Sequence, residues 1–322
     1  MKKLFVLFAV AVVALATGCT KKNAVNAPAA PAAKALKKIG IVQLVEHPAL
    51  DAAYKGFVDG LAEAGFKGGE NISIDYQNAQ GEQANCVTIA NKLVNDKDDL
   101  ILAIATPAAQ AVAQLTKDIP ILITAVTDPE SAKLVESNAH PGNNVTGTSD
   151  LTPVAAQIDL LKRVVPTAKT VGLMYCSSEQ NSVFQIQMAK AACERSGLKY
   201  VEGSVSNSNE IQQVVQSLVG KVDAIYVPTD NMLAAGMPLV SQVANEHKIP
   251  TIVGEDGMVQ SGGMVTYGIN YYELGKQTAV QAAKILKGEA KPADMPIEYL
   301  SKCDLSYNEA TLKAVGITLP NL

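Results

Sequence analysis

The sequence predicts an α/β protein built as two Rossmann-like lobes, each a parallel sheet covered by helices. Three observations carry this. From residue 39 onward, short apolar runs alternate with longer amphipathic ones, and apolar strands separated by helices imply a parallel sheet buried on both faces. The alternation then begins again after NVTGTS. The two halves also keep register. DLILAIATPAAQAVAQLTKDIPILI parallels VDAIYVPTDNMLAAGMPLVSQVANEHKIPTIV, with Ile-Pro pairs at 119–120 and 249–250 and strand starts at Lys38 and Lys169. One long-period echo of this kind describes two similar lobes rather than a short-period solenoid.

Each element has a local reason. KIGIVQLV reads as a strand, and LDAAYKGFVDGLAEAG as a helix closed by Gly65. NISIDYQ, DLILAIA and IPILITAV are the next strands. EQANCVTIANKLVND and PAAQAVAQLTK are the helices between them, the second with Pro107 in its first turn. A short helical turn is expected near Asp128 to Val135, and NVTGTS ends the set. In the second half, helices at Pro153–Val164, Asn181–Ser196, Asn209–Val219 and Asn231–His247 separate KTVGLMYC, LKYVEGSV, VDAIYVP, IPTIVG and GMVTYG.

Composition narrows the function. The chain of 322 residues is 48% hydrophobic and 18% charged, enough apolar material for sizeable cores. A net charge of −4 argues against nucleic acid as a partner, since phosphate neutralisation needs a basic face. The opening MKKLFVLFAVAVVALATGCT has a positive start at Lys2 and Lys3, then an apolar run from Leu4 to Ala16 too short for a comfortable permanent span. Its end, Ala16-Thr17-Gly18-Cys19, resembles a bacterial lipobox. Residues 1–18 therefore read as a lipoprotein signal peptide and Cys19 as the lipidated residue. Residues 19–37, rich in Ala, Pro, Lys and Asn, read as a flexible tether. The expected location is outside the cytoplasm, lipid-anchored to the bacterial envelope and facing the periplasm or cell exterior. Cys86, Cys176, Cys193 and Cys303 remain. Cys86 and Cys193 fall in predicted helices and read as buried thiols, although an exported compartment also permits one bridge among the four.

Catalytic chemistry finds no support. There is no dinucleotide or phosphate-binding glycine motif and no nucleophile elbow. The three histidines, His47, His140 and His247, are scattered, so no metal is expected. No cofactor and no enzymatic activity are expected either. The strand ends suit binding instead. Helix N-termini offer unpaired N–H donors and a positive dipole end. Thr106, placed at an N-cap, presents a hydroxyl there, and Thr124, Ala125 and Thr127 follow the next strand in the same way. Together they suit a carboxylate, with plain helix capping as the other reading of Thr106. In the second half, Thr229, Asp230 and Asn231 end one strand, and Glu255 and Asp256 follow the next. A carboxylate there can pair with an ammonium, or Asp230, Asn231 and Asp256 can cap helices. Ser177, Ser178 and Asn181 stand at a third strand end. Glu46 and His47 follow the first strand, where they either line a cleft or shape the turn before Pro48. A carboxylate hole opposite an ammonium partner describes an α-amino acid.

The motifs EHPALDA, NAQGEQAN, ILAIATPAAQA, TAVTDP, NNVTGTSD, YVPTDN, GEDGMVQSGG and TYGINYYELGKQ, in this order, resemble ABC transporter substrate-binding proteins of the tryptophan/tyrosine-uptake type over residues 38–300. The resemblance implies a type I periplasmic-binding-protein fold with three hinge crossings, near Ser149–Pro153, Tyr267–Tyr271 and Met295. Lobe 1 would then be 38–150 plus 270–295, and lobe 2 would be 151–269 plus 296–322. It further implies an aromatic amino acid (Trp, Tyr or Phe) as ligand, an ABC permease with its ATPase as partners, a monomer, and closure of the hinge on the ligand. By analogy with type I amino-acid receptors, the ligand carboxylate falls to Thr106, Ala108 and Thr124 to Thr127, and the ammonium to Glu255. The alternatives are a type I receptor for a sugar or nucleoside and a ligand-presenting sensor subunit. A sugar site would call for more aromatics and arginines than this chain has: it lacks tryptophan, and its two arginines, Arg163 and Arg195, are not at strand ends.

Overall fold

The computed structural model describes residues 36–320. The expected signal peptide and Cys19 lie outside them. Of the expected tether only Leu36 and Lys37 are described, and Lys37 already opens the first strand.

In the first lobe, β1 (Lys37–Gln43), α1 (Pro48–Glu63), β2 (Ile72–Asn78), α2 (Gln83–Asn95), β3 (Leu100–Ile104), α3 (Thr106–Leu115), β4 (Ile121–Val126) and β5 (Val145–Ser149) follow one another. The second lobe begins with α4 (Val154–Val164), β6 (Thr170–Cys176), α5 (Gln180–Arg195), β7 (Lys199–Val205) and α6 (Ile211–Leu218). It continues with β8 (Ala224–Val227), α7 (Asn231–Ala235), α8 (Met237–Glu246), β9 (Thr251–Val253), α9 (Asp256–Gln260) and β10 (Val265–Gly268). The chain ends with α10 (Tyr271–Lys287), β11 (Glu298–Tyr299), β12 (Asp304–Tyr307) and α11 (Glu309–Val315).

Two six-stranded sheets result, ordered β11-β5-β4-β3-β1-β2 and β12-β10-β9-β8-β6-β7. The first five strands of each lobe take the same order, so the echo between the two halves of the sequence is an echo of topology. All pairings are parallel except β10 with β12. Strands β3 and β4 (LILAI and ILITAV) are buried at every position, as a sheet covered on both faces requires. In such sheets ligands meet the carboxyl ends of the strands, at the point where strand order reverses.

Helix α10 follows β10 but packs in the first lobe, against α1. The two backbones touch. A Cβ on Gly56 would lie 2.0 Å from the Tyr272 carbonyl oxygen, and one on Gly275 would lie 2.0 Å from the Ala53 carbonyl oxygen. Only glycine permits that approach. Leu274, Ala279, Ala282 and Leu286 of α10 accordingly join the first lobe's core, while Leu312 and Val315 of α11 join the second lobe's.

Several boundaries differ from the expected ones. The third crossing lies between Tyr299 and Asp304, not near Met295, because β11 adds to β5 in the first sheet before β12 adds to β10 in the second. The helix expected at Asn231–His247 breaks at Gly236 into α7 and α8. Residues 129–133 form turns without a helix. Between β9 and β10 there is a further short helix, α9, of which the sequence pattern marks only a candidate cap at Asp256.

Candidate ligand-binding cleft

The carboxyl ends of both sheets face one cleft. Its walls close on a cavity of about 10 Å³, room for about one water. From the first lobe come His47 and Leu50 after β1, Ala125 and Thr127 at the end of β4, and Asp150 after β5. From the second come Asn181, Thr229, Asp230, Asn231, Ala234 and Glu255, with Tyr271 at the start of α10. Hydrogen bonds cross between the lobes. Thr127 Oγ1 meets Thr229 Oγ1 at 3.3 Å, and His47 Nε2 stands 3.4 Å from Asn231 Oδ1. At the edge of the cleft, Gln83 Nε2 donates to the Ser178 carbonyl at 3.1 Å.

The structure thus gathers eight of the residues the sequence nominates: His47, Ala125, Thr127, Asn181, Thr229, Asp230, Asn231 and Glu255. It leaves six outside the cavity. Glu46, Ser177 and Ser178 are exposed. Ser177 donates its hydroxyl to the Val205 carbonyl at 3.1 Å, and Ser178 offers its carbonyl to Gln83. Ala108 is in the first core. Thr124 points beneath α10: its hydroxyl accepts from Thr148 at 3.0 Å, and Thr148 in turn lies 2.8 Å from Thr278. Thr106 is buried with its hydroxyl unpartnered, but it does not wall this cavity.

The capping roles also fall differently from the expected ones. Thr106 is the first residue of α3, not its cap. The cap is Ala105, with φ 82° and ψ 155°, a backbone conformation that favours glycine. Ala125, at φ 54°, is likewise held in the left-handed region. Two strained alanines therefore end the two central strands of the first lobe. On the far wall, Asp230 caps α7 by accepting from the Leu233 N–H at 2.8 Å. Glu255, not Asp256, caps α9 by accepting from Gly257 and Met258.

Sequence reasoning passed over four side chains that wall or brace the cavity. Glu179 is buried and holds the second-lobe wall together. It accepts from the Asn231 N–H at 3.2 Å, Asn231 Nδ2 at 2.6 Å, Asn181 Nδ2 at 3.1 Å and the Met232 N–H at 2.9 Å. Gln185 braces the same loop, donating to the Thr229 carbonyl at 3.0 Å and accepting from its N–H at 3.3 Å. Asp150 and Tyr271 join across the hinge, where Tyr271 Oη donates to Asp150 Oδ2 at 2.7 Å. A signal for Asp150 exists: it is the acid directly after a strand, at the end of NNVTGTSD.

The electrostatics are one-sided. Asp150, Asp230 and Glu255 are buried, no Lys or Arg lines the cavity, and none of the three has an ion-pair partner among the described residues. Burial pushes the Glu255 carboxyl up to about 8 against the pull of its two backbone donors. Burial also raises Asp230, with Glu179 adding to the effect, and it raises Asp150 against the opposing hydroxyls of Tyr271 and Thr127. It pushes His47 down to about 4, so that the imidazole is neutral. A cavity walled by uncompensated acids and hydroxyls favours a ligand that brings its own positive charge.

This fold and cleft are those of type I periplasmic binding proteins. The chain belongs to the ABC transporter substrate-binding protein family, whose sequence pattern matches residues 38–322. It is 47% identical over 279 residues to the "Tyrosine-binding protein" of Clostridioides difficile, covering 87% of this chain and 81% of that one. A Streptococcus pneumoniae ABC domain solved in complex with L-Trp is 41% identical, with a TM-score of 0.86 over 89% of this chain and 97% of that one. The ligand-free, open structure of a substrate-binding protein with adhesive properties from Clostridium difficile is 51% identical, yet its TM-score over the same shares is 0.69. Likeness in shape runs against likeness in sequence here. This chain is a substrate-binding protein of an ABC transporter.

Proposed function

We propose that the chain captures an aromatic α-amino acid, tyrosine or tryptophan, in the interlobe cleft and delivers it to an ABC permease driven by its ATPase. The observation that carries this reading is the cavity wall: three buried acids, no cation, and hydroxyls from both lobes. An amino acid supplies the missing cation and a carboxylate for the hydroxyls of Thr127 and Thr229. The ring would rest on Leu50, Ala234, His47 and Tyr271, which stand in for the absent tryptophan. The relatives described as tyrosine-binding and as bound to L-Trp support the same ligand class. The protein acts as a monomer outside the cytoplasm, held by lipid on Cys19, and carries out no catalysis. Among the described residues no helix is long and apolar enough to cross a membrane.

The missing tryptophan makes the test direct, because all indole emission belongs to the ligand. The protein is unfolded to strip carried ligand, refolded and titrated with L-tryptophan. A saturable blue shift, competed by tyrosine but not by ribose, is expected. No shift and no competition would remove the aromatic ligand. Metabolic labelling of the wild type and Cys19→Ala with a fatty-acid analogue tests the anchor: only the wild type should take up label.

A further inference from the structure

We infer that Asp150, rather than Glu255, receives the ammonium group of the ligand, and that Tyr271 positions it. This rests on the amino-acid reading above.

The acids around the cavity differ in what their oxygens already do. Glu255 spends both oxygens on α9, accepting from the Gly257 N–H on Oε2 and the Met258 N–H on Oε1 at 2.8 Å. Asp230 does the same, with Oδ1 on the Leu233 N–H and Oδ2 on the Cys176 N–H. Drawing either carboxylate towards a ligand would leave buried backbone donors unpaired, a large penalty. Asp150 is different. Oδ2 accepts from Tyr271 Oη at 2.7 Å, while Oδ1 is buried with no partner at hydrogen-bond distance; the nearby Thr127 hydroxyl is engaged with Thr229 instead. The residue is only 4% exposed and walls the cavity. It is the one acid of the cavity wall with an oxygen to spare.

A second acceptor stands in the same wall. Asn181 Oδ1 is buried and unpartnered. Its orientation is fixed by its own amide, since Nδ2 faces two obligate acceptors, Glu179 Oε2 at 3.1 Å and the Thr229 carbonyl at 3.1 Å, with the Ser182 hydroxyl at 3.3 Å. An ammonium has three donors and no acceptor, and these two orphaned oxygens, one from the hinge and one from the second lobe, are what it lacks. An orphaned buried acceptor calls for an explanation, and a charged donor arriving with the ligand supplies it for both.

The position of the pair adds a consequence. Asp150 stands in the first crossing between the lobes, and Tyr271 opens α10 just after the second. Their hydrogen bond ties the two crossings together across 121 residues of chain. The ligand's positive charge is thus read at the hinge. A ligand with the same ring and carboxylate but no amino group leaves Asp150 buried and unneutralised, which opposes closure.

The experiment uses detergent-solubilised full-length protein and two probes, L-tryptophan and indole-3-propionate, which lacks only the amino group. Wild type, Asp150→Asn, Tyr271→Phe and Glu255→Gln are titrated with each. Asp150→Asn should lower tryptophan affinity roughly 30-fold, about 2 kcal/mol, and leave indole-3-propionate unchanged or tighter, so that the preference for the amino group collapses. Tyr271→Phe should reduce that preference several-fold by weakening tryptophan much more than indole-3-propionate, a result that simple loss of structure would not give. It also stands as an independent reading if Asp150→Asn fails to fold. Glu255→Gln should move both probes alike. An unchanged preference in both Asp150→Asn and Tyr271→Phe, or a preference erased by Glu255→Gln, overturns the assignment. Wild type that binds neither tryptophan nor tyrosine overturns the amino-acid reading itself, and this assignment with it.

Discussion

Thr127 and Thr229 meet across the cleft with their hydroxyl oxygens 3.3 Å apart. One follows β4 of the first lobe and the other follows β8 of the second, and these strands are not equivalent: β4 corresponds to β9 and β8 to β3. The contact therefore joins the ends of neighbouring, non-equivalent central strands across the cleft. Gln185 reinforces the contact by donating to Thr127 Oγ1 at 3.4 Å while bracing the Thr229 backbone.

Replacing Thr229 with valine keeps its shape and removes the hydroxyl. A net hydrogen bond contributes about 1 kcal/mol, so Thr229→Val should weaken amino-acid binding about fivefold. The thermal midpoint of the ligand-free protein should shift little. Calorimetric titration checks this. Unchanged affinity would mean that the two hydroxyls do not hold the closed arrangement.

Glu179 makes a stronger prediction. Its carboxylate accepts from two backbone N–H groups and two side-chain amides. Glutamine is nearly isosteric but turns one oxygen into a donor, which must face the donors of Asn231, Asn181 or Met232. Glu179→Gln should therefore lower stability by about 2 kcal/mol and weaken ligand binding as well, because Asn181 and Asn231 wall the cavity. Urea unfolding measures the first effect. A variant as stable as wild type would show that the network is not what holds the second-lobe wall.

How much of this was legible in the sequence depends on how local each cause is. β3 and β4 are continuous apolar runs, and their burial on both faces is a property of their own residues. The doubling of the sheet was visible because the halves repeat in register. The cleft followed from the strand ends, which is why eight nominated residues do line it. What was not legible depends on distant partners. The break between α7 and α8 sits at Gly236, where a Cβ would lie 2.4 Å from Ile211 Cδ1, a contact set by how α6 packs. Whether Glu255 or Asp256 caps α9 depends on the extended backbone at Glu255, φ −156° and ψ 165°, which no residue spacing records. Ala105 reads as an ordinary strand residue, yet tertiary structure holds it where glycine would be at ease. Asp150 gains its role only from Tyr271.

The strain at Ala105 is testable on its own. Its φ of 82° and ψ of 155° lie in a region that L side chains rarely adopt. Such strain costs about 1–3 kcal/mol, and glycine's extra unfolded-state entropy returns about 0.5–1 kcal/mol of the relief. Ala105→Gly should therefore stabilise the protein by about 1 kcal/mol, raising the thermal midpoint by a few degrees. Because Ala105 also sets how the chain enters α3, the same variant should bind ligand no more tightly and release it faster. A lowered midpoint would show that the alanine is not strained.

The buried acids set the pH dependence of the ligand-free protein. Glu255 is pushed up to about 8 in the folded state from an ordinary value of 4.5. Between these values the folded state holds a proton that the unfolded chain has released, so stability must fall as pH rises through that window. His47 acts in the opposite sense. Pushed down to about 4 from 6.5, it is neutral when folded and charged when unfolded, so its contribution is lost as pH falls through that range. Below about pH 6.5 the two effects oppose each other and stability changes little. Above it the histidine is neutral in both states and Glu255 acts alone, with Asp230 and Asp150 raised in the same direction. Urea unfolding should therefore show stability falling between about pH 6.5 and 8, by up to about 1.4 kcal/mol per pH unit for each proton involved. Glu255→Gln should flatten that slope, and saturating amino acid should flatten it further, because an ammonium beside Asp150 removes the cost of ionising the cavity. Stability that does not change over the same interval would show that these carboxyls are already ionised in the closed cleft.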